Sequence, residues 1–180
     1  MEKVKAEKTN IKPDAATFDV KAEVEKLLHD NKLNLCLECG KCTAVCPMLD
    51  FYGEYNYDRS PRGVVERLSF DPEKIDDESL WYCLTCQACT FFCPSGIDFQ
   101  SFMTDLREML LKNGFKKHAF FCSVCGRYFM PKKEHEYIRK ILDGKKSCEY
   151  LYVCPECRKK DYAEILHRTA HWPKQSIKKA

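Results

Sequence analysis

Cysteine carries the chemistry of this sequence. Residues 36–47 read CLECGKCTAVCP and residues 83–94 read CLTCQACTFFCP. The members are Cys36, Cys39, Cys42 and Cys46 in the first phrase, and Cys83, Cys86, Cys89 and Cys93 in the second, each run closing with proline. Thiolates are soft metal ligands, and C-x2-C-x2-C-x3-C-P is the run that holds paired 4Fe–4S cubes. Three closely spaced cysteines wrap three corners of one cube, while the fourth, turned away by its proline, reaches the other. The repetition is then required, because either phrase alone leaves its cube a ligand short. The expected ligand sets are Cys36, Cys39 and Cys42 with Cys93, and Cys83, Cys86 and Cys89 with Cys46. Cubes interlocked in this way suit the passage of single electrons. They offer no open position for a substrate, and no catalytic residue is assigned.

A second pattern lies further on. FFCSVCGRYFMP and YLYVCPECRKKDYAEILHR each hold a C-x2-C pair, Cys122 with Cys125 and Cys154 with Cys157. Four thiolates on two such knuckles suit tetrahedral zinc or a single iron. The knuckles are similar to those of rubredoxin, which would make the site a further redox station. Against that, EHEYIRKIL between them has a helical pattern, and no glycine follows the last cysteine. CRKKDYAEILHRTAHW continues into a helix directly from the last ligands, as in treble-clef zinc domains. Structural zinc is therefore expected, with a rubredoxin-type iron as the alternative. Cys148 is left over as an inert thiol. His167 and His171 read as solvated helix positions, as does His29; His118 and His135 have no spacing that joins them to a metal.

The rest of the composition explains why metal is needed. Of 180 residues, 44% are hydrophobic, but that share includes 13 cysteines, and 32% are charged. An ordinary apolar core is thus modest, and bound metal would supply folding energy. Thirteen cysteines cannot all pair, so a complete disulfide framework is excluded. The opening MEKVKAEKTN lacks the apolar stretch of a signal peptide, and no run approaches the roughly 18 apolar residues of a membrane span. The expected location is cytoplasmic, where clustered cysteines point to metal or redox chemistry. The formal charge of +3 counts thiols as neutral. Two cubes and one zinc, each about −2 with its four thiolates, would bring it to about −3. Basicity therefore does not argue for nucleic acid.

The elements that must position these cysteines are mainly helical. Residues 1–17 are polar and read as a flexible arm. Val20, Val24, Leu27 and Leu28 recur at helical spacing ahead of the first phrase. In DRSPRGVVERL, Ser60 is placed to cap a helix that Pro61 begins. Phe51, Tyr52, Tyr55 and Tyr57 form an aromatic group read as packing. Asp98 opens an amphipathic helix whose apolar stripe is Phe99, Phe102, Met103, Leu106, Met109 and Leu110, stopped by Asn113-Gly114. Residues 18–115 form a helical domain for two 4Fe–4S clusters, and residues 116–180 form a small α+β four-cysteine domain.

With CLECGKCTAVCP, SPRGVVERL and WYCLTCQACTFFCPSGID in this order, residues 18–114 resemble the helical two-cluster ferredoxin domains of anaerobic and respiratory oxidoreductases. Among these they are similar to the C subunits of heterodisulfide reductases. The resemblance implies a non-catalytic subunit that relays single electrons. Its partners would be a flavin- and iron–sulfur-containing subunit on one side and a disulfide-reducing subunit on the other. In the family, adjacent Cys-Cys pairs mark the disulfide-reducing partner, and this sequence has none. It also lacks a G-x-G-x-x-G fingerprint, so a flavin or nicotinamide would sit on a partner. The alternatives are the iron–sulfur subunit of a quinone-linked dehydrogenase and, in another class, a metal-stabilised adaptor or nucleic-acid-binding protein. The interlocked phrases disfavour the last, and nucleic acid is not an expected partner.

Overall fold

The computed structural model describes residues 19–54, 56–143 and 150–169. The arm at residues 1–17, Tyr55, Cys148 and His171 lie outside the described residues. The chain divides into two compact units, Met1–His118 and Ala119–Ala180.

In the first unit every described regular element is a helix. Helix α1 (Val20–Asp30) starts where the Asp19 carboxylate accepts from the Ala22 amide, and it buries Val24 and Leu28. Two one-turn helices follow, α2 (Lys41–Ala44) and α3 (Met48–Tyr52). Helix α4 (Pro61–Phe70) is capped by Ser60, whose Oγ accepts from the Gly63 amide at 3.1 Å, with Pro61 at its first position. Val64, Val65 and Leu68 point into the core. A 3₁₀ turn at Glu78–Trp81 returns the chain to the second cysteine phrase, burying Leu80 and Trp81. The Arg67–Asp77 ion pair, at 2.7 Å, ties that turn to α4.

The second phrase contains α5 (Ala88–Phe91), and α6 (Phe99–Lys112) follows it. The whole expected stripe of α6 is buried: Phe99, Phe102, Met103, Leu106, Met109 and Leu110. At ~2 kcal/mol for each large side chain removed from water, this stripe is the main apolar support of the unit. Asp98 caps α6 through the Ser101 amide, and Gly114, at φ +85°, lets the chain turn away behind it. Helix α6 packs on α1 and α5, and α1 on α4, while α2 and α5, the short helices within the two cysteine loops, pack on each other.

The second unit opens with an antiparallel hairpin of β1 (Ala119–Phe121) and β2 (Tyr128–Pro131), paired Ala119 to Pro131 and Phe120 to Met130. A bulge between Phe120 and Phe121 shifts the register just before the first knuckle. Helix α7 (Lys132–Ile141) follows β2, and α8 (Pro155–Thr169) begins one residue after Cys154. This is the small α+β architecture expected around the four tail cysteines.

Candidate metal centres

The sequence repeat is also a backbone repeat. In the first phrase, Glu38 and Gly40 take φ of +55° and +75°; at the matching places in the second, Thr85 and Gln87 take +49° and +67°. Left-handed residues after the first and second cysteines coil each C-x2-C-x2-C loop so that its sulfurs face one interior. Only the first phrase uses glycine at the second of these places. Gln87 therefore carries a left-handed cost of roughly 1 kcal/mol that Gly40 avoids. Each loop is then tied to the helix that follows it. The Thr43 hydroxyl donates to Ser60 Oγ at 3.4 Å, and the matching Thr90 hydroxyl accepts from the Gln100 amide, in the first turn of α6, at 3.2 Å.

An arginine braces each loop as well. Arg62, in the first turn of α4, donates to the Glu38 carbonyl and pairs with the Glu38 carboxylate at 3.0 Å. Arg107, from α6, donates to the carbonyls of Leu80 at 3.1 Å and Cys83 at 2.7 Å. Neither arginine is marked by the cysteine spacing. Arg107 sits on the apolar stripe of α6, where a lone cation three or four residues from Met103 and Leu110 was the available signal.

Two apolar cavities result. One is lined by Cys36, Cys39, Cys42 and Cys93, with Leu37, Val65 and Ile97 in its wall. The other is lined by Cys46, Cys83, Cys86 and Cys89, with Met48, Tyr82 and Leu84. Pro61 and Phe99 border both, and Cys89 also reaches the first. Burial pushes the thiols of Cys42 and Cys46 up, and neighbouring Cys83 and Cys86 raise Cys46 further. Cys89 is pushed up to about 12, first by burial and then by Cys83, Cys42 and Cys46. Sulfurs gathered in an apolar wall resist becoming thiolates unless a cationic group joins them. Four soft donors around a cavity suit an iron–sulfur cube in size and chemistry.

The tail site is tighter. Cys122 and Cys125 lie on the hairpin turn, where the Cys122 amide donates to the Arg127 carbonyl and Gly126, at φ +69°, closes the knuckle. Cys154 precedes α8 and Cys157 lies in its first turn. All four sulfurs lie within 4.8 Å of one another, and Cys125 and Cys154 are 3.7 Å apart. Among the described residues this is the one His, Cys, Asp or Glu group so closely gathered. Tetrahedral bonds of about 2.3 Å put sulfurs roughly 3.8 Å apart, so the spacing fits a single ion. Burial works against the Cys122 thiolate, but amides of Cys154, Cys125 and Val124 outweigh it and bring the group down to about 6. Arg127 lowers Cys125, whereas burial and the other three sulfurs push Cys157 up to about 12. The set resists holding four charges without a cation among them.

Among the described residues, the histidines do not join this site. His167 is exposed on α8, and His29 is exposed at the end of α1. His135 is buried on α7, stacked on Phe120 with ring centroids 3.7 Å apart. Burial holds its pKa below the ordinary imidazole value, with Arg139 adding to the effect. A depressed imidazole pKa stabilises the fold above pH ~6.5, and that stability falls as pH drops from there toward the folded-state pKa. His135→Phe should flatten the difference in melting temperature of the tail between pH 7 and pH 5. An unchanged slope in that variant would show that His135 does not titrate with unfolding.

Residues 32–97 match a family described as the 4Fe-4S dicluster domain, and residues 3–51 match a second family of that description. The first match contains all eight cysteines of the two phrases, so iron–sulfur ligation is the shared property of this segment. Over 95 residues the chain is 33% identical to the C subunit of the ferredoxin:CoB-CoM heterodisulfide reductase of Methanosarcina acetivorans. The alignment covers 51% of this chain and 36% of that protein, so the chain spans about a third of the curated relative it matches. The heterodisulfide-reductase resemblance expected from the cysteine phrases is borne out over this region. Among the described residues no helix is long and apolar enough to cross a membrane.

Proposed function

We propose that this chain is an electron-relay subunit of a heterodisulfide-reductase-like complex. It would stand between a flavin- and iron–sulfur-containing subunit and a disulfide-reducing subunit. The observation that carries the reading is the exchange of fourth cysteines: Cys93 lines the cavity of the first phrase, and Cys46 that of the second. The ligand sets are accordingly Cys36, Cys39, Cys42 and Cys93 for one 4Fe–4S cluster, and Cys46, Cys83, Cys86 and Cys89 for the other. When bound, such clusters supply one-electron storage and transfer.

The chain's own residues hold, shield and tune these sites. Pro61 and Phe99 keep water from the wall the two cavities share. The Thr85 amide donates to Cys83 Sγ at 3.4 Å, favouring the anionic sulfur. Leu37 lines the first cavity yet is 70% exposed, a suitable place for a partner's apolar surface to approach that site.

Cys122, Cys125, Cys154 and Cys157 would hold structural zinc. Two of the four come from a helix start and not from a second hairpin, which favours zinc over a rubredoxin-type iron. Closing this site would fold a segment too small to stabilise itself. Tyr162, Ile165 and Leu166 stand exposed on α8, and this helix would dock the tail onto a partner subunit.

Iron, acid-labile sulfide and zinc per chain test the reading on protein purified without oxygen. The expected result is about eight iron, eight sulfide and one zinc, with the iron reducible by dithionite. About nine iron without zinc would make the tail a redox station. Zinc without sulfide would remove the relay.

A further inference from the structure

We infer that Arg107 is the internal counter-charge that makes the Cys46, Cys83, Cys86 and Cys89 site the more easily reduced of the two. The inference rests on the electron-relay reading above. Arg107 is 4% exposed, projecting from α6 into the core. Its guanidinium binds the carbonyls of Leu80 and Cys83 and lies 5.6 Å from the ring centre of Trp81. Among the described residues it makes no ion pair, and its Nε has no hydrogen-bond partner. A guanidinium keeps its proton in a protein, so this is a buried cation without a carboxylate. Such a charge is costly unless a negative group lies near it. The second cavity supplies that group, because the residue Arg107 grips is Cys83, one of its four cysteines.

Among the described residues, the wall of the first site holds no equivalent. The charged residues in its wall are Glu38, Lys41 and Arg62. Arg62 is neutralised by the Glu38 carboxylate at 3.0 Å, and Lys41 is exposed, where water screens it. At the second cavity, Arg59 is likewise paired with Glu54, at 2.5 Å. Arg107 remains, unscreened and in a low dielectric. A site of about −2 that gains one electron becomes more negative, so a nearby buried cation stabilises the reduced form. In the test below that electron comes from dithionite, and no bond or proton needs to change.

The experiment is an EPR-monitored dithionite titration of the full chain, with iron and sulfide counted on every variant. Wild type should show two midpoint potentials. Arg107→Met should lower the higher one by at least 59 mV, a tenfold change for a one-electron couple, and leave the lower one in place. Arg107→Lys, which keeps the charge, should recover most of the shift. Loaded wild-type sites that stay silent to dithionite would remove the relay reading itself. Two active sites that Arg107→Met moves together, or not at all, would overturn the role of Arg107 alone. Should Arg107→Met fail to load, ligand variants decide the order of potentials. Cys86→Ser should then perturb the higher-potential signal and Cys39→Ser the lower, and the reverse assignment would refute the inference.

Discussion

A chain carrying both Cys39→Ala and Cys46→Ala should bind almost no iron, whereas Cys39→Ala with Cys93→Ala should keep about half. The difference follows from which cavity each cysteine lines. Cys39 and Cys93 share one, so removing both damages a single site; Cys46 belongs to the other, despite lying seven residues from Cys39. Residues of one site act as a unit, and their losses do not add; losses at separate sites do. On a full load of about eight iron, the same-site pair should leave about four and the cross-site pair close to none. Iron and sulfide analysis after anaerobic purification reads this directly. Helical circular dichroism would show whether a low iron count reflects an unfolded chain. If the cross-site pair retained about four iron while the same-site pair retained none, each phrase would ligate its own cluster and the interlocked arrangement would be wrong.

Much of the scaffold around these sites was legible in the sequence, because it rests on local rules. The Ser60 cap, Pro61 at the helix start, the Asp98 cap and the six-residue stripe of α6 each follow from one residue type at one position. The helix beginning beside Cys154 and Cys157 was legible for the same reason, since CRKKDYAEILHR has no breaker. What escaped were features set by contacts distant in sequence. Arg107 stands out in the sequence only as a cation on an apolar stripe, and its role needs its partners, 24 and 27 residues earlier. His135 reads as part of a charged helix, yet Phe120 and Tyr152 enclose it from two other segments. Left-handed Thr85 and Gln87 escaped too, because neither is glycine; the geometry of the cysteine loop overrides their preference.

Gly63 is the sharpest example of a residue whose reason is tertiary, and replacing it should have the largest effect of any change that leaves every cysteine intact. Within SPRGVVERL it looks like a weak spot, because glycine inside a helix costs roughly 1 kcal/mol relative to alanine. Alanine should nevertheless be far worse. A Cβ at this position would stand 2.0 Å from the Tyr57 carbonyl oxygen and 2.8 Å from its carbon. Both are backbone atoms, so no side chain can swing aside; the 3₁₀ turn at Tyr57–Arg59 would have to move off α4. That turn carries Arg59 to the wall of the second cavity, and the same helix start carries Ser60 and Arg62 to the first cysteine loop. One methyl group therefore disturbs both sites at once. Overpacking against backbone should cost about 3 kcal/mol or more, enough to lower the melting temperature of this unit by on the order of 10 °C. Iron per chain should fall at both sites together, while the metal content of the tail site at Cys122, Cys125, Cys154 and Cys157, which belongs to the other compact unit, stays as in wild type. Gly63→Ala with a full iron load and wild-type melting would show that the turn can yield, and that glycine is not what brings α4 against the cysteine loops.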